Sequence, residues 1–552
     1  MILPSNRRDF LKLSLQSGLT FLSFSPLAEA ARNFMDVPPD DLLAASPLRP
    51  VAGPFSNTDF NGDDIKRPHD RLWNLQAYIA SRGGRPPVSE RRDVVIVGGG
   101  IGGLSSAYFL QGKNPLVLEQ DAQFGGNSRG ETFDDSVFSI GAAYISTPEK
   151  NGTLFRMLQN IGALNAARHE NGDEARFLVK GRGFQSLWNG EIDPANREII
   201  RQVAEDFARI NQQAYPTIPW RPGGLSRPEL DQLDQLNFQQ WLTKQYGDKL
   251  PVCLKEFFQL YCWSTFASSV EEVSAAQAIN FLASESEGLI AFPGGNSYVA
   301  RGLLQFLSRR LSPNSLRPGV LVLEIKTVGD EVQLLVEKND QLQTIACRAC
   351  VVAAPKYVAQ YIVPGMTPLQ RQTARQLQYR AFIVANVLVN AKAPSPTFDA
   401  FRLEGEVPPS PTFGHPSLRP FTDVCFANWA GGDRSNRTVL TLYRPFPYDA
   451  RTVLASASAF NRLRGEFLQG AAEVLEAMRV PSQTIAGIRL TRWGHAVPMA
   501  QAGFLASHAD EVFKQPTDGR IFYANQDNDA NPSFESAFHN AEIAAANILR
   551  LL

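Results

Sequence analysis

Three glycines and one acidic residue have the types and spacing that binding a dinucleotide requires. Gly98, Gly100 and Gly103 follow a run of apolar, mostly β-branched residues at 94–97 and precede a stretch with helical spacing. Such a turn leaves the N–H groups at the start of a helix free to bind a pyrophosphate. Glu119 ends a second apolar run 21 residues after Gly98, where a carboxylate can accept hydrogen bonds from a ribose. The sequence therefore predicts a dinucleotide site that opens at Gly98.

The length and composition limit the classes of protein to which the chain can belong. The chain has 552 residues, of which 44% are hydrophobic and 20% charged, and its net charge is −1. A length of this kind allows about two to four domains with sizeable cores. The balanced charge argues against a nucleic-acid partner, which needs concentrated Lys and Arg. We expect a small-molecule substrate instead.

The five cysteines are too few for a disulfide framework in a chain of this length. Cys347 and Cys350 form a CxxC pattern, but the following residues 351–354 are typical of a buried strand. We therefore interpret the two thiols as a packed pair, and we predict no metal site.

The N-terminus resembles an export signal. Arg7 and Arg8 form a twin-arginine pattern, followed by a modest apolar stretch at 13–27 and by Ala28-Glu29-Ala30, a small-residue cleavage pattern. We predict a twin-arginine signal peptide over residues 1–30, the twin-arginine export machinery as a partner, and a periplasmic or secreted protein. Because this pathway moves folded proteins, it suits an enzyme that captures its cofactor before export. A basic amphipathic N-terminus is the alternative.

The rest of the chain divides by the spacing of its apolar residues. Residues 31–90, rich in Pro, Gly, Asp and Asn, predict an extended arm. Helical spacing predominates in 151–285, and strands and helices are mixed in 361–490. We predict a discontinuous nucleotide-binding domain, and a second domain that two insertions form. The predicted nucleotide-binding segments are 91–150, 286–360 and 491–552; the insertions are 151–285 and 361–490.

Four separated blocks resemble one family. The first is the glycine turn with Glu119, and the second is the pair Gly125-Gly126 with Arg129, continuing to Gly141. The third joins Pro293-Gly294-Gly295 to the strand around Val322, and the fourth joins Phe522-Tyr523-Ala524 to the helix that starts near Phe534. In order and spacing they resemble the flavin-containing amine oxidase superfamily, which includes phytoene-desaturase-like enzymes. The resemblance implies an α/β fold, with a discontinuous Rossmann-like FAD-binding domain and a mixed α+β substrate domain.

The resemblance also implies FAD as the cofactor and a set of residues around it. The final helix would direct its positive end at the flavin. Where the family has an acidic residue after the last strand, either Gln526 takes its place or Asp527 supplies it. The implied FAD-binding residues are Gly98, Gly100, Gly103, Glu119, Gly125, Gly126, Arg129, Gly141, Val322, Gln526, Asp527 and Phe534.

Departures from the family bear on the chemistry. Many members have a lysine near the flavin in the strand that corresponds to residues 382–388, and this chain has none there. Its absence favours a dehydrogenase over an oxidase. Phe504 is expected to form one wall of an aromatic cage, opposite Ser533 or Phe534, with Trp493 either positioning the substrate or packing in the core. A structural role is favoured for His495 over that of a catalytic base.

The leading hypothesis is an exported FAD-dependent oxidoreductase that oxidises an amine, with polyamines as one candidate class, by hydride transfer to flavin N5. Bacterial spermidine-dehydrogenase-type proteins are the narrower resemblance. One alternative is a flavin-dependent desaturase or oxidoreductase that acts on an isoprenoid or lipid, and another is a non-catalytic flavoprotein. The electron acceptor, oxygen or a redox partner, stays open. A nicotinamide-dependent dehydrogenase is disfavoured, because it has no use for the Gly-Gly pair and the flavin-facing helix.

Overall fold

The structure of the protein is a computed structural model, and it describes residues 45–410, 419–431, 435–447 and 450–552. The predicted signal peptide, 1–30, and residues 31–44 of the predicted arm lie outside this part of the chain. Within it, no helix combines the length and the apolarity needed to cross a bilayer.

The strand before Gly98 lies at the centre of the first sheet. Residues 94–97 are at most 5% exposed, and their strand pairs in parallel with the strand before Glu119. The other neighbour is also parallel and brings residues 349–352 beside the glycine turn. Ile521–Tyr523 pairs with that neighbour. Apart from Ile521–Tyr523, the strand order across the sheet is Leu316–Arg317, Leu116–Leu118, Val88–Val97, Gln341–Val352, Glu331–Lys338 and Leu321–Val328.

Helices cover both faces of this sheet. Three share a buried apolar cluster on one face, where Leu104, Leu303 and Phe538 are fully buried. On the other face Ile362 packs with Val95 and Val352. The helices of the first face are Ile101–Phe109, Ser297–Ser308 and Phe534–Leu551, and the second face carries Lys356–Ile362.

A second, larger sheet faces the first and is mainly antiparallel. Its central strand, Tyr379–Val389, is buried along its whole length, and Ala457–Ala477 packs against the sheet. The strand order is Gly183–Gln185, Phe177–Val179, Asp399–Leu403, Asp423–Phe426, Thr438–Phe446, Tyr379–Val389, Ile485–Pro498 and Asn61–Gly62.

The inserted region 151–285 is mostly helical, and its aromatic residues form a separate core. Two three-stranded sheets complete the described fold: Leu48–Pro50, Gly130–Phe133 and Ser136–Ser139 form one, and Tyr144–Ser146, Leu289–Ala291 and Arg168–Glu170 the other. The remaining α-helices are Arg67–Leu72, Leu75–Ser81, Thr153–Asn160, Arg197–Gln213, Arg227–Asp234, Phe238–Tyr246, Val252–Phe266, Ala275–Glu285, Pro368–Gln376, Ala427–Gly431 and Ala509–Lys514.

One boundary and the local structure of the arm differ from the sequence-based expectation. The strand Ile485–Pro498 crosses the expected boundary at 490, because its antiparallel pairing with Tyr379–Val389 continues to Pro498. The described part of the arm is also not simply extended: residues 67–72 and 75–81 are helical, and Ile79 is buried.

A buried ion pair joins the three-stranded sheet that contains Gly130–Phe133 to the larger sheet. Arg489 Nε and Nη2 donate to the two carboxylate oxygens of Glu131 at 2.8 and 3.0 Å, and the side chains are only 9% and 1% exposed. Arg489 Nη1 also donates to the carbonyl of Phe55. A two-point pair of this kind fixes orientation as well as distance.

We expect Arg489→Met to lower the free energy of unfolding by about 3–5 kcal/mol, because it leaves the Glu131 carboxylate buried without its cation. Urea unfolding followed by circular dichroism measures this loss. Arg201→Met is the matched control, since Arg201 pairs with Glu205 on an exposed helix surface. The double variant R489M/E131L should recover part of the loss, and equal losses for R489M and R201M would contradict this account.

Candidate active site

A cavity of about 1820 Å³ lies between the two sheets. Ligand pockets commonly have roughly 300–1,000 Å³, so this one has room for a dinucleotide and a second molecule. Of the residues singled out in the sequence, all but Gly103 and Phe504 line it. The lining set is Gly98, Gly100, Glu119, Gly125, Gly126, Arg129, Gly141, Val322, Trp493, Gln526, Asp527 and Phe534.

Glu119 accepts two backbone hydrogen bonds, one of them from the glycine turn. One carboxylate oxygen accepts from the amide of Gly99 at 2.6 Å, and the other accepts from the amide of Asp121 at 2.8 Å. Each oxygen keeps a second lone pair that can accept from a ribose hydroxyl. Removal from water raises the pKa of Glu119 to about 7, against the lowering effect of the two amides.

Gly103 acts through packing and not by facing the cavity. A Cβ at this position would lie 1.8 Å from the carbonyl oxygen of Gly98. The first turn of the helix can therefore approach the strand end only because residue 103 has no side chain. This is the packing role of the third glycine in a dinucleotide-binding turn.

Arg129 holds the Gly125-Gly126 pair in place. Its Nη1 donates to Asp121 at 2.6 Å and its Nε to the carbonyl of Gly126 at 3.0 Å. The guanidinium lies 4.8 Å from the centroid of the Trp493 ring. A guanidinium has five N–H donors, so Arg129 can support the turn and still donate into the cavity.

Gly141 and Trp493 line another part of the cavity. Trp493 Nε1 donates to the carbonyl of Ile140 at 2.7 Å. A Cβ on Gly141 would lie 2.1 Å from the carbonyl oxygen of Asn127, so the two backbone segments meet there without a side chain. The last helix begins nearby at Phe534, with Ser533 as its N-cap, and so brings the positive end of a helix dipole to the cavity wall.

The loop after the last strand is held by Asp527 and by a lysine that sequence analysis missed. Asp527 accepts from the backbone amide of Lys356 at 2.7 Å and from the Tyr379 hydroxyl. The fully buried Lys356 ammonium contacts Asn525 and Asn528. Burial lowers the pKa of Lys356 to about 8, although the nearby Asp527 raises it. Gln526 and Asp527 both line the cavity, so either can face a cofactor.

Phe504 lies elsewhere, in an apolar cluster with Leu505 and Phe513. Its ring centroid is 6.0 Å from that of Phe513. The chain turns after Pro498, where the strand ends, and Gly503 adopts a φ of +83°. This differs from the expectation that Phe504 forms a wall of an aromatic cage.

Two of the tyrosines that line the cavity, Tyr443 and Tyr144, lie close to Gly141. Tyr443 donates its hydroxyl to the carbonyl of Gly141 at 2.7 Å, and Tyr144 follows Gly141 by three residues. Both line the cavity. Tyr144 also donates to Glu285 at 3.3 Å, so this tyrosine contacts a carboxylate.

Glu285 and Asp423 are cavity-lining carboxylates that sequence analysis did not select. Removal from water raises the pKa of Glu285 to about 7 and that of Asp423 to about 6. Asp423 accepts from Ser264 at 2.6 Å. Hydroxyl groups thus lower these pKa values in part, and no described Lys, Arg or His contributes to either shift.

A third carboxyl group lies beside Asp423. The pKa of Asp399 is raised by burial and then by the charges of Asp423, Glu170 and Glu285. Glu285 is also the last residue of the helix Ala275–Glu285, where the helix dipole is negative. Asp399, Asp423 and Cys425 bring their oxygen and sulfur atoms within 4.8 Å of one another. The arrangement favours a cationic ligand.

The central strand of the second sheet contributes Tyr379, Phe382 and Val384 to the lining, and none of them is basic. His495 lines the cavity as well and stacks on Tyr357, with ring centroids 4.1 Å apart. Burial and then the charge of Arg451 lower the pKa of His495 to about 4. At neutral pH it is therefore an uncharged wall residue.

These features agree with the family and the known proteins that the chain resembles. A family model described as flavin containing amine oxidoreductase matches residues 101–549. Oxidoreductase PigB of Serratia sp. (strain ATCC 39006) is 23% identical over 516 residues, which cover 84% of this chain and 76% of that protein. The probable flavin-containing monoamine oxidase A of Dictyostelium discoideum is 23% identical over 301 residues, covering 52% of this chain and 62% of that one.

A solved structure of wild-type putrescine oxidase bound to putrescine has the same fold, with a TM-score of 0.59 and 16% identity over 83% of this chain and 99% of that one. This likeness confirms the predicted fold, a Rossmann-like FAD-binding domain with a second domain. Because the family model spans most of the chain, the protein belongs to the flavin-containing amine oxidoreductases and is an FAD-dependent oxidoreductase.

Proposed function

We propose that the protein oxidises a diamine or polyamine. The observation that carries this proposal is the pair of cavity carboxylates, Glu285 and Asp423, whose raised pKa values reflect burial without a cationic partner. Burying uncompensated negative charge destabilises a protein. An ammonium group of the substrate would supply the missing positive charge.

The aromatic walls support an amine in a second way. The faces of tyrosine rings attract cations, and Tyr144 and Tyr443 line the same cavity as the carboxylates. Tyr443 is paired directly with Asp423 across neighbouring strands. A substrate with two amino groups could therefore place one by the carboxylates and present the other for oxidation.

Bound FAD would supply the acceptor for a hydride from the carbon next to the reacting nitrogen. The chain orients that carbon and excludes water from it. Glu119, Arg129 and the turn at Gly98 would hold the ribose and pyrophosphate part of the cofactor. Gly141, Trp493 and the start of the last helix at Phe534 would surround its flavin end.

We propose that the electron acceptor is a redox partner and not oxygen. Tyr379, Phe382 and Val384 are the cavity-lining residues of the strand in which related oxidases have a lysine. A fixed cation beside a reduced flavin would favour reaction with oxygen. The apolar and aromatic side chains here give no such assistance.

The experiment that tests the function is an anaerobic titration of the holoenzyme, followed by its visible spectrum. Putrescine and spermidine should bleach the flavin at lower concentrations than n-butylamine does, and dialysis against a chelator should not change this. Readmitted air should restore the colour slowly, as expected of a dehydrogenase. Bleaching by an isoprenoid or lipid alone, or by no compound, would overturn the proposal in favour of a desaturase or a non-catalytic flavoprotein.

We expect Glu119→Gln to weaken FAD binding roughly ten- to a hundredfold, because it removes a charged acceptor. Ribose hydroxyls donate to the ionised carboxylate, so wild-type affinity should fall as the pH drops below about 7, the pKa of Glu119. The variant should lose this pH dependence. Equilibrium dialysis of FAD measures both effects, with the exposed Asp330→Asn as control. Equal affinities for E119Q and D330N would contradict the assignment.

We expect Glu285→Gln and Asp423→Asn to raise KM for putrescine about ten- to a hundredfold each, because each removes a charge that pairs with an ammonium. The KM for n-butylamine should change little. Diamine affinity of the wild type should rise as the pH increases through 6 and 7, where the two carboxyl groups ionise. Steady-state kinetics with both amines measure this split.

The control for that series is Glu287→Gln, since Glu287 is exposed two residues beyond Glu285. An equal loss for mono- and diamines in E285Q would show a general role for Glu285 instead of recognition of a second ammonium.

We also propose that the protein is exported with FAD already bound, as the twin-arginine pattern indicates. The variant R7K/R8K should stay in the cytoplasm of a bacterial host, while Arg32→Lys should not alter export. Cell fractionation and immunoblotting measure the periplasmic share. Periplasmic R7K/R8K at the wild-type level would contradict this proposal.

A further inference from the structure

The cavity has a wall that the dinucleotide-binding unit does not provide. Asp63, Arg67 and their neighbours line it, although they precede the first strand of that unit, Val88–Val97. They also lie before residue 101, where the match to the family begins. We call residues 45–73 the strap.

The strap first runs along the first domain. Leu48–Pro50 pairs in parallel with residues 130–132, and the carbonyl of Ala45 accepts from the amide of Phe124. Phe55 is 5% exposed and packs edge-on against Phe133 and Phe138. This part therefore packs into the buried core.

The strap then crosses to the second sheet. Asn57 exchanges two hydrogen bonds with the backbone of Leu490, at 2.9 and 3.0 Å. Asn61–Gly62 adds a short parallel strand beside residues 491–492. A Cβ on Gly62 would lie 2.1 Å from the carbonyl oxygen of Arg492, so the strap fits closely here.

Asp63 anchors one side of the crossing. Its two oxygens accept from Arg492 Nε at 3.0 Å and from the amide of Gly494 at 2.7 Å. Gly494 follows Trp493, which lines the cavity. The strap is therefore fixed by charge to the strand that borders the flavin end of the site.

Arg67 anchors the other side, at the ribose end. It donates to the carbonyl of Gln120 at 2.8 Å and to that of Gly319 at 3.0 Å. It also pairs with Glu337 at 2.9 Å. Gln120 directly follows Glu119, so residues 63–67 pass from the flavin end of the cavity to its ribose end.

We infer that the strap completes the FAD site as a retaining wall, with Asp63 and Arg67 as the positioning residues that keep it closed. A bound dinucleotide would lie between the glycine turn and residues 63–69. Both entry and exit then require the two anchors to open. Residues 45–60 stay fixed while the crossing segment moves.

A retaining wall and an ordinary contact residue affect the rates of ligand release and uptake differently. Losing a contact residue speeds only the release of a ligand, whereas opening a wall speeds release and uptake together. We expect Asp63→Ala and Arg67→Ala each to speed FAD release about tenfold or more, and to speed FAD uptake by the apoprotein as well. Stopped-flow flavin fluorescence measures both rates without any substrate.

Arg91→Ala is the matched control, because Arg91 pairs with Glu331 on the surface of the same sheet. Asp63→Asn and Arg67→Lys guard against misfolding, and should show the same trend with a smaller change. Hydrogen exchange of residues 61–69 in the full protein should slow when FAD is added. Faster release with unchanged uptake, or unchanged rates in all variants, would overturn the inference, as would exchange that FAD does not slow.

Discussion

The ion pair between Glu131 and Arg489 joins the three-stranded sheet that contains Gly130–Phe133 to the strand Ile485–Pro498 of the larger sheet. Glu131 belongs to the segment that continues to Gly141, and Arg489 belongs to the strand that carries Trp493. Because the pair is almost fully buried, the two segments are held at a fixed distance. The hydrogen bond from Trp493 to Ile140 and that from Asn127 to Ala496 extend the same connection. These contacts hold the segment that leads to Gly141 against the strand that carries Trp493.

The cavity itself is electrically divided. Towards the dinucleotide end it has the N–H groups of the glycine turn and the guanidinium of Arg129. Elsewhere it is lined by Glu285 and Asp423, beside the negative end of the helix Ala275–Glu285. Low polarity strengthens such fields. A cofactor with a pyrophosphate and a substrate with ammonium groups would each be attracted to a different part of one continuous space.

Local patterns predicted the part of the site that local structure forms. Gly98, Gly103 and Glu119 lie within one strand–helix–strand unit, so their spacing in the sequence determines their spacing in space. Tyr144, Glu285, Asp423 and Tyr443 come from four separate elements, and only the packing of those elements brings them together. Phe504 was placed by analogy with a family segment, but its turn after Pro498 points the ring into an apolar cluster. The arm was predicted as extended because its Pro and Gly residues gave no periodicity. In the structure, its side chains pair with residues of two separate sheets.

The most direct test of the proposed substrate is a crystal structure of the FAD-loaded protein soaked with putrescine in the absence of oxygen. We expect one ammonium group within roughly 2.6–3.2 Å of Glu285 or Asp423 oxygens, with the carbon chain beside Tyr144 and Tyr443. Putrescine bound elsewhere in the cavity, with a protein cation or a metal ion against the two carboxylates, would contradict it.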